Sequence, residues 1–265
     1  GDGLTGSGMN AAGQIQLAVG SAVSLGNQAE IGSLTSTASG VDFAGNLTTG
    51  SGAQIGDITG SGAIEFEAIT LGPSASLGNL LSEHGSINLD GAITLESASG
   101  GAGATLGSIT ASEGTFTQSG DFVFGSGASV GAISANGTVR FQDDGDILLG
   151  SGASLASVTS VSANIDFEGD IIIGSGASIG AVSAEKGVVF DNVVTLRLDA
   201  GLAEGASIDG GSGGVAFNDP LTLSEGAVVG NVLGSGAISF NAIDGSGNGA
   251  IGSITSHANG ISQTG

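Results

Sequence analysis

Apolar residues alternate with small or polar ones in short runs along the chain. Val41-Asp-Phe43, Ile64-Glu-Phe66, Ile87-Asn-Leu89, Val139-Arg-Phe141, Ile165-Asp-Phe167, Val215-Ala-Phe217 and Ile238-Ser-Phe240 form one set. Ile69-Thr-Leu71, Ile93-Thr-Leu95, Ile147-Leu-Leu149, Val194-Thr-Leu196 and Leu221-Thr-Leu223 form a second. A period of two predicts strands, here of about three to five residues. No stretch carries the i, i+3, i+4 spacing of an amphipathic helix.

The runs belong to a repeat. The pattern small-x-aliphatic-Gly-x-aliphatic returns ten times, with its first aliphatic at Ile31, Ile55, Leu77, Leu106, Val130, Leu155, Ile179, Ile208, Val229 and Ile251. The steps are 24, 22, 29, 24, 25, 24, 29, 21 and 22, a mean of about 24. Very short strands punctuated by Gly, Asn and Asp at constant phase predict a chain that coils about an axis, each coil stacked on the last. The expected fold is all-β: a single parallel β-solenoid (β-helix) of about ten coils of ~24 residues, roughly three-faced. At ~4.8 Å per coil such a rod is ~48 Å long. One domain is expected over residues 1–265, with 1–22 an irregular N-terminal coil, 23–261 regular coils and 262–265 a tail.

Phasing the copies assigns columns. Phe43, Phe66, Phe141, Phe167, Phe190, Phe217 and Phe240 share one position, with Leu89 in the same phase. They predict an interior aromatic stack. Gln118 takes that phase in the fifth coil, where Phe116, Phe122 and Phe124 shift, so an irregularity is expected there. The two long steps place insertions near residues 97–103 and 197–205.

Composition adds three constraints. Gly is 53 of 265 residues, yet 40% of the chain is hydrophobic, which excludes Gly-rich disorder. Net charge is −22, and Arg140, Lys186 and Arg197 are the whole basic complement. That excludes nucleic-acid binding and docking on an anionic leaflet. No stretch approaches the length of a membrane-spanning helix, so no membrane insertion is expected. The absence of cysteine leaves stability to packing or metal. A first residue of Gly rather than Met raises the expectation of a processed, secreted chain.

Two surface features are candidates for chemistry. Carboxylates gather at the corner after the Phe strand: Asp143, Asp144, Asp146, Glu168 and Asp170. Stacked there they would repel unless a cation sat between them, and Ca²⁺ takes six to eight such oxygens. Asp and Asn are also good turn formers, and the Ca²⁺-binding nonapeptide of β-rolls is absent. The second feature is a file of small hydroxyl residues facing outward around an inward aliphatic: Ser33, Thr35, Thr59, Ser108, Thr110, Ser157, Thr159, Ser253 and Thr255. A flat face of this kind would hold ordered water, ice or glycan, or pack against a neighbouring rod. Thr is also simply a good strand residue.

No catalytic constellation stands out, and the chain is not expected to be an enzyme. His84 and His257 fall in equivalent loops some seven coils apart. Polysaccharide cleavage needs clustered Asp beside Arg or Lys, which two Arg and one Lys hardly supply.

The coil Gly150–Ile173, GSGASLASVTSVSANIDFEGDIII, resembles the repeats of large bacterial surface proteins: filamentous-haemagglutinin-like and autotransporter-passenger-like adhesins and fibres. The resemblance is one of style and period over about residues 23–261, without a diagnostic motif. It implies an extracellular parallel β-solenoid serving as stalk, adhesin or fibre, and it assigns no functional residues. Solenoid ends ordinarily need polar caps. Neither end of this sequence has one, so the expected partner is a second copy stacked head to tail into a surface filament. The alternative is a monomeric adhesin, or an ice- or glycan-binding module using the Ser/Thr face, with a glycan or cell surface as partner.

Overall fold

Short strands of one polarity stack into three parallel sheets in the computed structural model, which describes residues 5–6, 8–17, 23–99, 102–142 and 145–264. The chain visits the faces in a fixed order: in one coil Ser154–Ser160 lies on the first face, Ile165–Phe167 on the second and Ile171–Ile173 on the third. Each pairs in register with its counterpart one coil away, as Ile165↔Val188 and Ile171↔Val194. The second and third faces are sheets of 11 and 10 strands in sequence order. This is the three-faced parallel β-solenoid that the repeat predicts. Among the described residues there is no helix.

The first face has 17 strands because several coils cross it in two pieces, such as Gln54–Ile55 and Ile58–Gly60. The break falls at Gly-Asx or Gly-Ser. There a side chain replaces the backbone as acceptor: Asp57 Oδ1 accepts the Asn79 N–H at 2.8 Å, and Asn79 Oδ1 accepts the Ser108 N–H at 2.8 Å. Where Ala132 or Ala181 stands instead, the strand runs unbroken, as in Ser129–Ala135 and Ser178–Ala184.

The inward residues make one continuous core. Burying each large aliphatic or Phe side chain contributes about 1.5–3 kcal/mol, so a rod without disulfides has ample stabilisation. The corner between the third face and the next coil explains the Gly-Ser-Gly-Ala sequence. A Cβ on Gly174 would lie 2.5 Å from the Leu149 carbonyl of the coil below, and Gly176 has φ of 64°. The Ala that follows packs inward, as do Ala53, Ala128, Ala153 and Ala177.

The Phe column is real. Phe141, Phe167, Phe190, Phe217 and Phe240 stack with centroids 4.4–5.1 Å apart and planes within 9°, and Phe43 stacks on Phe66 at 4.2 Å. Leu89 and Gln118 bridge the gap, paired in register with each other and with Phe66 and Phe141. Gln118 is 1% exposed, and its Nε2 donates to Gly91 O and Gly120 O, both at 2.8 Å. Its Oε1 has no partner. Phe116 meets Phe141 edge-on at 5.6 Å and Phe122 lies 4.6 Å from Phe124, filling the interior that Gln118 leaves.

The insertions resolve differently. An antiparallel bridge, Ser97↔Gly103, closes the first loop where the long step predicts it. The second sits inside a strand. Ile179 pairs with Leu202, and Val182 pairs with Ile208, so Leu202 holds the first aliphatic position and Ile208 the second. Extra residues from Ala203 to Ala206 bulge between them, with Ala203 at φ 53° and Gly205 at φ 68°. The Ala-Ser before Ile208 mimics the start of a copy, which is why the sequence suggests the wrong anchor.

The regular coils reach beyond residues 23–261. Met9–Ala11 and Ile15–Leu17 pair in register with Leu34–Ser36 and Val41–Phe43, and Ile261–Gln263 pairs with Ile238–Phe240.

Candidate functional site

Three surfaces carry the chemistry available to this rod: the acidic corner, the outward column of the first face, and the outward column of the third.

At the acidic corner, the backbone hydrogen bonds are completed by carboxylates. Asp121 Oδ1 accepts the Asp146 N–H at 3.1 Å, Asp146 Oδ1 accepts the Asp170 N–H at 3.0 Å, and Asp170 Oδ1 accepts the Val193 N–H at 3.1 Å. Each Asp caps the coil above. Glu168 is drawn aside: its Oε1 accepts from Arg140 Nε at 2.6 Å and pairs with Arg140 Nη2 at 2.5 Å. The carboxylate in turn raises the Arg140 pKa. Asp143 and Asp144 lie outside the described residues. Of the five carboxylates expected to share a cation, Asp146 and Asp170 are therefore joined in a ladder and Glu168 is held by Arg140. Among the described residues no three His, Cys, Asp or Glu side chains converge as metal ligands would. Beside Arg140, Asp166 is half-buried, and this desolvation pushes its carboxyl pKa up, against two hydrogen bonds of 2.6 Å from Asn164 Nδ2.

The hydroxyl file of the first face is one surface. Thr35, Thr59, Leu81, Thr110, Ser134, Thr159 and Ser183 follow one another in register, and the column continues through Asp209 and Leu233 to Thr255. Ser33, Ser108, Ser157 and Ser253 form the neighbouring outward column with Asp57, Asn79 and Asn231. Leu81, Asp209 and Leu233 interrupt the Thr column. His84 and His257 are both exposed at equivalent turns; His84 Nδ1 lies 3.1 Å from Glu113 Oε2.

The third face presents a column that the hydroxyl file draws attention away from. In register it reads Ser24, Thr48, Thr70, Thr94, Val123, Leu148, Ile172, Thr195, Thr222 and Asp244. The middle residues of the runs Ile69-Thr-Leu71 and Ile147-Leu-Leu149 are its signal in the sequence. Its apolar centre borders an open groove of ≈ 480 Å³, edged by the Gly-Ser corner at Gly150, Ser151, Gly174 and Ser175, and by Arg197.

No protein-family model matches the chain, and neither a curated protein nor a solved structure is significantly similar to it.

Proposed function

We propose that the chain is a structural subunit of an extracellular filament or surface fibre, extended head to tail through its terminal coils. One observation carries this reading: the same columns keep their register from the first described coil to the last, so every coil presents the surface on which another coil stacks. Ile261 is 53% exposed on the last rung and Met9 is 47% exposed near the first. Ile238 donates its N–H to Gly260 O one coil on, so the equivalent N–H of Ile261 points along the rod away from the preceding coil. A further coil in the same phase would satisfy it. That coil could belong to a longer polypeptide or to a second copy, and the proposal is the second copy. In this reading the chain is not an enzyme, and the bacterial surface-repeat proteins it resembles in style are its functional analogues.

Electron microscopy and sedimentation of the purified chain test this. Filaments that lengthen with concentration are expected, and Ile261→Pro, which removes the forward-facing N–H, should abolish them. Dispersed monomers at high concentration would overturn the proposal.

The alternative, a monomeric adhesin or an ice- or glycan-binding module, is favoured by the shared column of Thr35, Thr59, Thr110, Thr159 and Thr255. Thermal hysteresis or retention on a glycan array by monomers, lost on Thr59→Lys, would support it.

A further inference from the structure

The outward column of the third face is symmetric about Leu148. One rung to either side stand Val123 and Ile172, two rungs out Thr94 and Thr195, three rungs out Thr70 and Thr222. The corner residues that follow these strands are symmetric in position and opposite in charge. Gly150 lies at the centre, Gly125 and Gly174 flank it, and two rungs out stand Glu96 and Arg197. Every other residue of that corner column is Gly or Ser. Glu96 and Arg197 are both exposed, lie four rungs or ~19 Å apart, and have no ion-pair partner among the described residues.

We infer that this face pairs with the same face of a second copy, the two rods running antiparallel about a two-fold axis through Leu148. Such an axis, lying between the faces and along the strand direction, reverses the rod but keeps position along the strand. Leu148 then meets Leu148, Val123 meets Ile172, and Thr94 meets Thr195. Glu96 faces Arg197 of the second copy, and the pairing occurs twice. A two-fold along the rod axis would instead set Arg197 against the start of its own strand, near Val193, and leave both charges unmet. The column from Ser24 to Thr222 carries no charge in a chain of net −22, so this strip brings two acidic rods together with little repulsion of its own.

One term opposes the pairing. The same rotation sets the ladders of Asp121, Asp146 and Asp170 along the far edge of the interface. These short side chains stay hydrogen-bonded to their own rod, and their repulsion is screened over ~8 Å at physiological salt. The strip from Thr70 to Thr222 is ~29 Å long and one short strand wide. It buries less than the ~800 Å² per partner of a standard interface, so the dimer is weak.

Sedimentation velocity on the Ile261→Pro chain separates lateral pairing from end-to-end growth. A concentration-dependent dimer is expected, strengthening as salt is raised from low to physiological levels. Leu148→Asp should abolish it while leaving the circular dichroism unchanged, because Leu148 is the outward residue of its strand, and Leu148→Thr, which keeps a strand former, should weaken it without loss of melting temperature. Arg197→Glu should weaken it by about tenfold, and adding Glu96→Arg should restore it. Orientation is read by cross-linking, since the chain has no native cysteine. A mixture of Thr94→Cys and Thr195→Cys chains should form a mixed disulfide dimer, with neither variant cross-linking to itself. A monomer at every concentration, a dimer indifferent to Leu148→Asp, or self-cross-linking of Thr94→Cys would overturn the inference.

Discussion

Asp146 Oδ1 accepts the backbone N–H of Asp170, one coil further along the rod, at 3.0 Å. The bond makes a carboxylate part of the backbone ladder at the corner where strand pairing lapses. Asp146→Ala should cost about 0.5–1.5 kcal/mol in urea unfolding, and Asp146→Asn, which keeps an acceptor, should stay close to wild type. The unfolding midpoint should be the same in chelator and in millimolar Ca²⁺, since these oxygens face amides and Glu168 faces Arg140. A rise with Ca²⁺ that Mg²⁺ does not reproduce and that Asp146→Ala removes would overturn this reading.

Asp166 makes stability depend on pH in the direction opposite to most carboxylates. Its folded pKa is raised, chiefly by desolvation. The protonated form therefore favours folding at acid pH, and that contribution is lost as pH rises through the raised folded value. The stability of Asp166→Asn relative to wild type should grow from acid to neutral pH and then level off. Urea unfolding of both proteins across this range measures it, and the repulsion shared by both chains cancels in the difference.

Gln118 interrupts the Phe column but satisfies two carbonyls. Gln118→Leu would restore an apolar column and leave Gly91 O and Gly120 O without this donor. A loss of about 1–3 kcal/mol is expected, even though the wild-type Oε1 is itself unpartnered. A gain in the denaturation midpoint would show that packing outweighs the two bonds.

Gln28 holds φ of 52° at the corner position where Gly52, Gly152 and Gly176 stand in other coils. Gln28→Gly should relieve left-handed strain at an exposed site and raise stability by about 0.5–1 kcal/mol after the added chain entropy is counted. Thermal unfolding reads this directly.

The architecture is legible in the sequence because identical phase has one physical meaning. Phe141, Phe167 and Phe190 recur at steps of 26 and 23 because each must stand on the one before. Period alone does not locate an insertion within a coil. Leu202 and Ile208 both follow small residues, and only strand pairing decides between them. The acidic corner shows the same limit: spacing stacks the carboxylates, but register gives Arg140 to Glu168, 28 residues on, and sets each Asp on an amide. The hydroxyl file is visible from Ser and Thr at fixed phase. The third-face column escapes notice because its residues, from Thr94 to Ile172, share position rather than type.

The backbone bonds between coils run along the rod, so a pull on its two ends loads every junction in series. Each junction carries the whole force, and the rod is as strong as its poorest one. From Ala203 to Ala206 the chain has no register partner in the coils on either side. At the bulge the load on the first face therefore passes through the paired residues on either side of it, Leu202 and Ile208, while the inserted segment carries none.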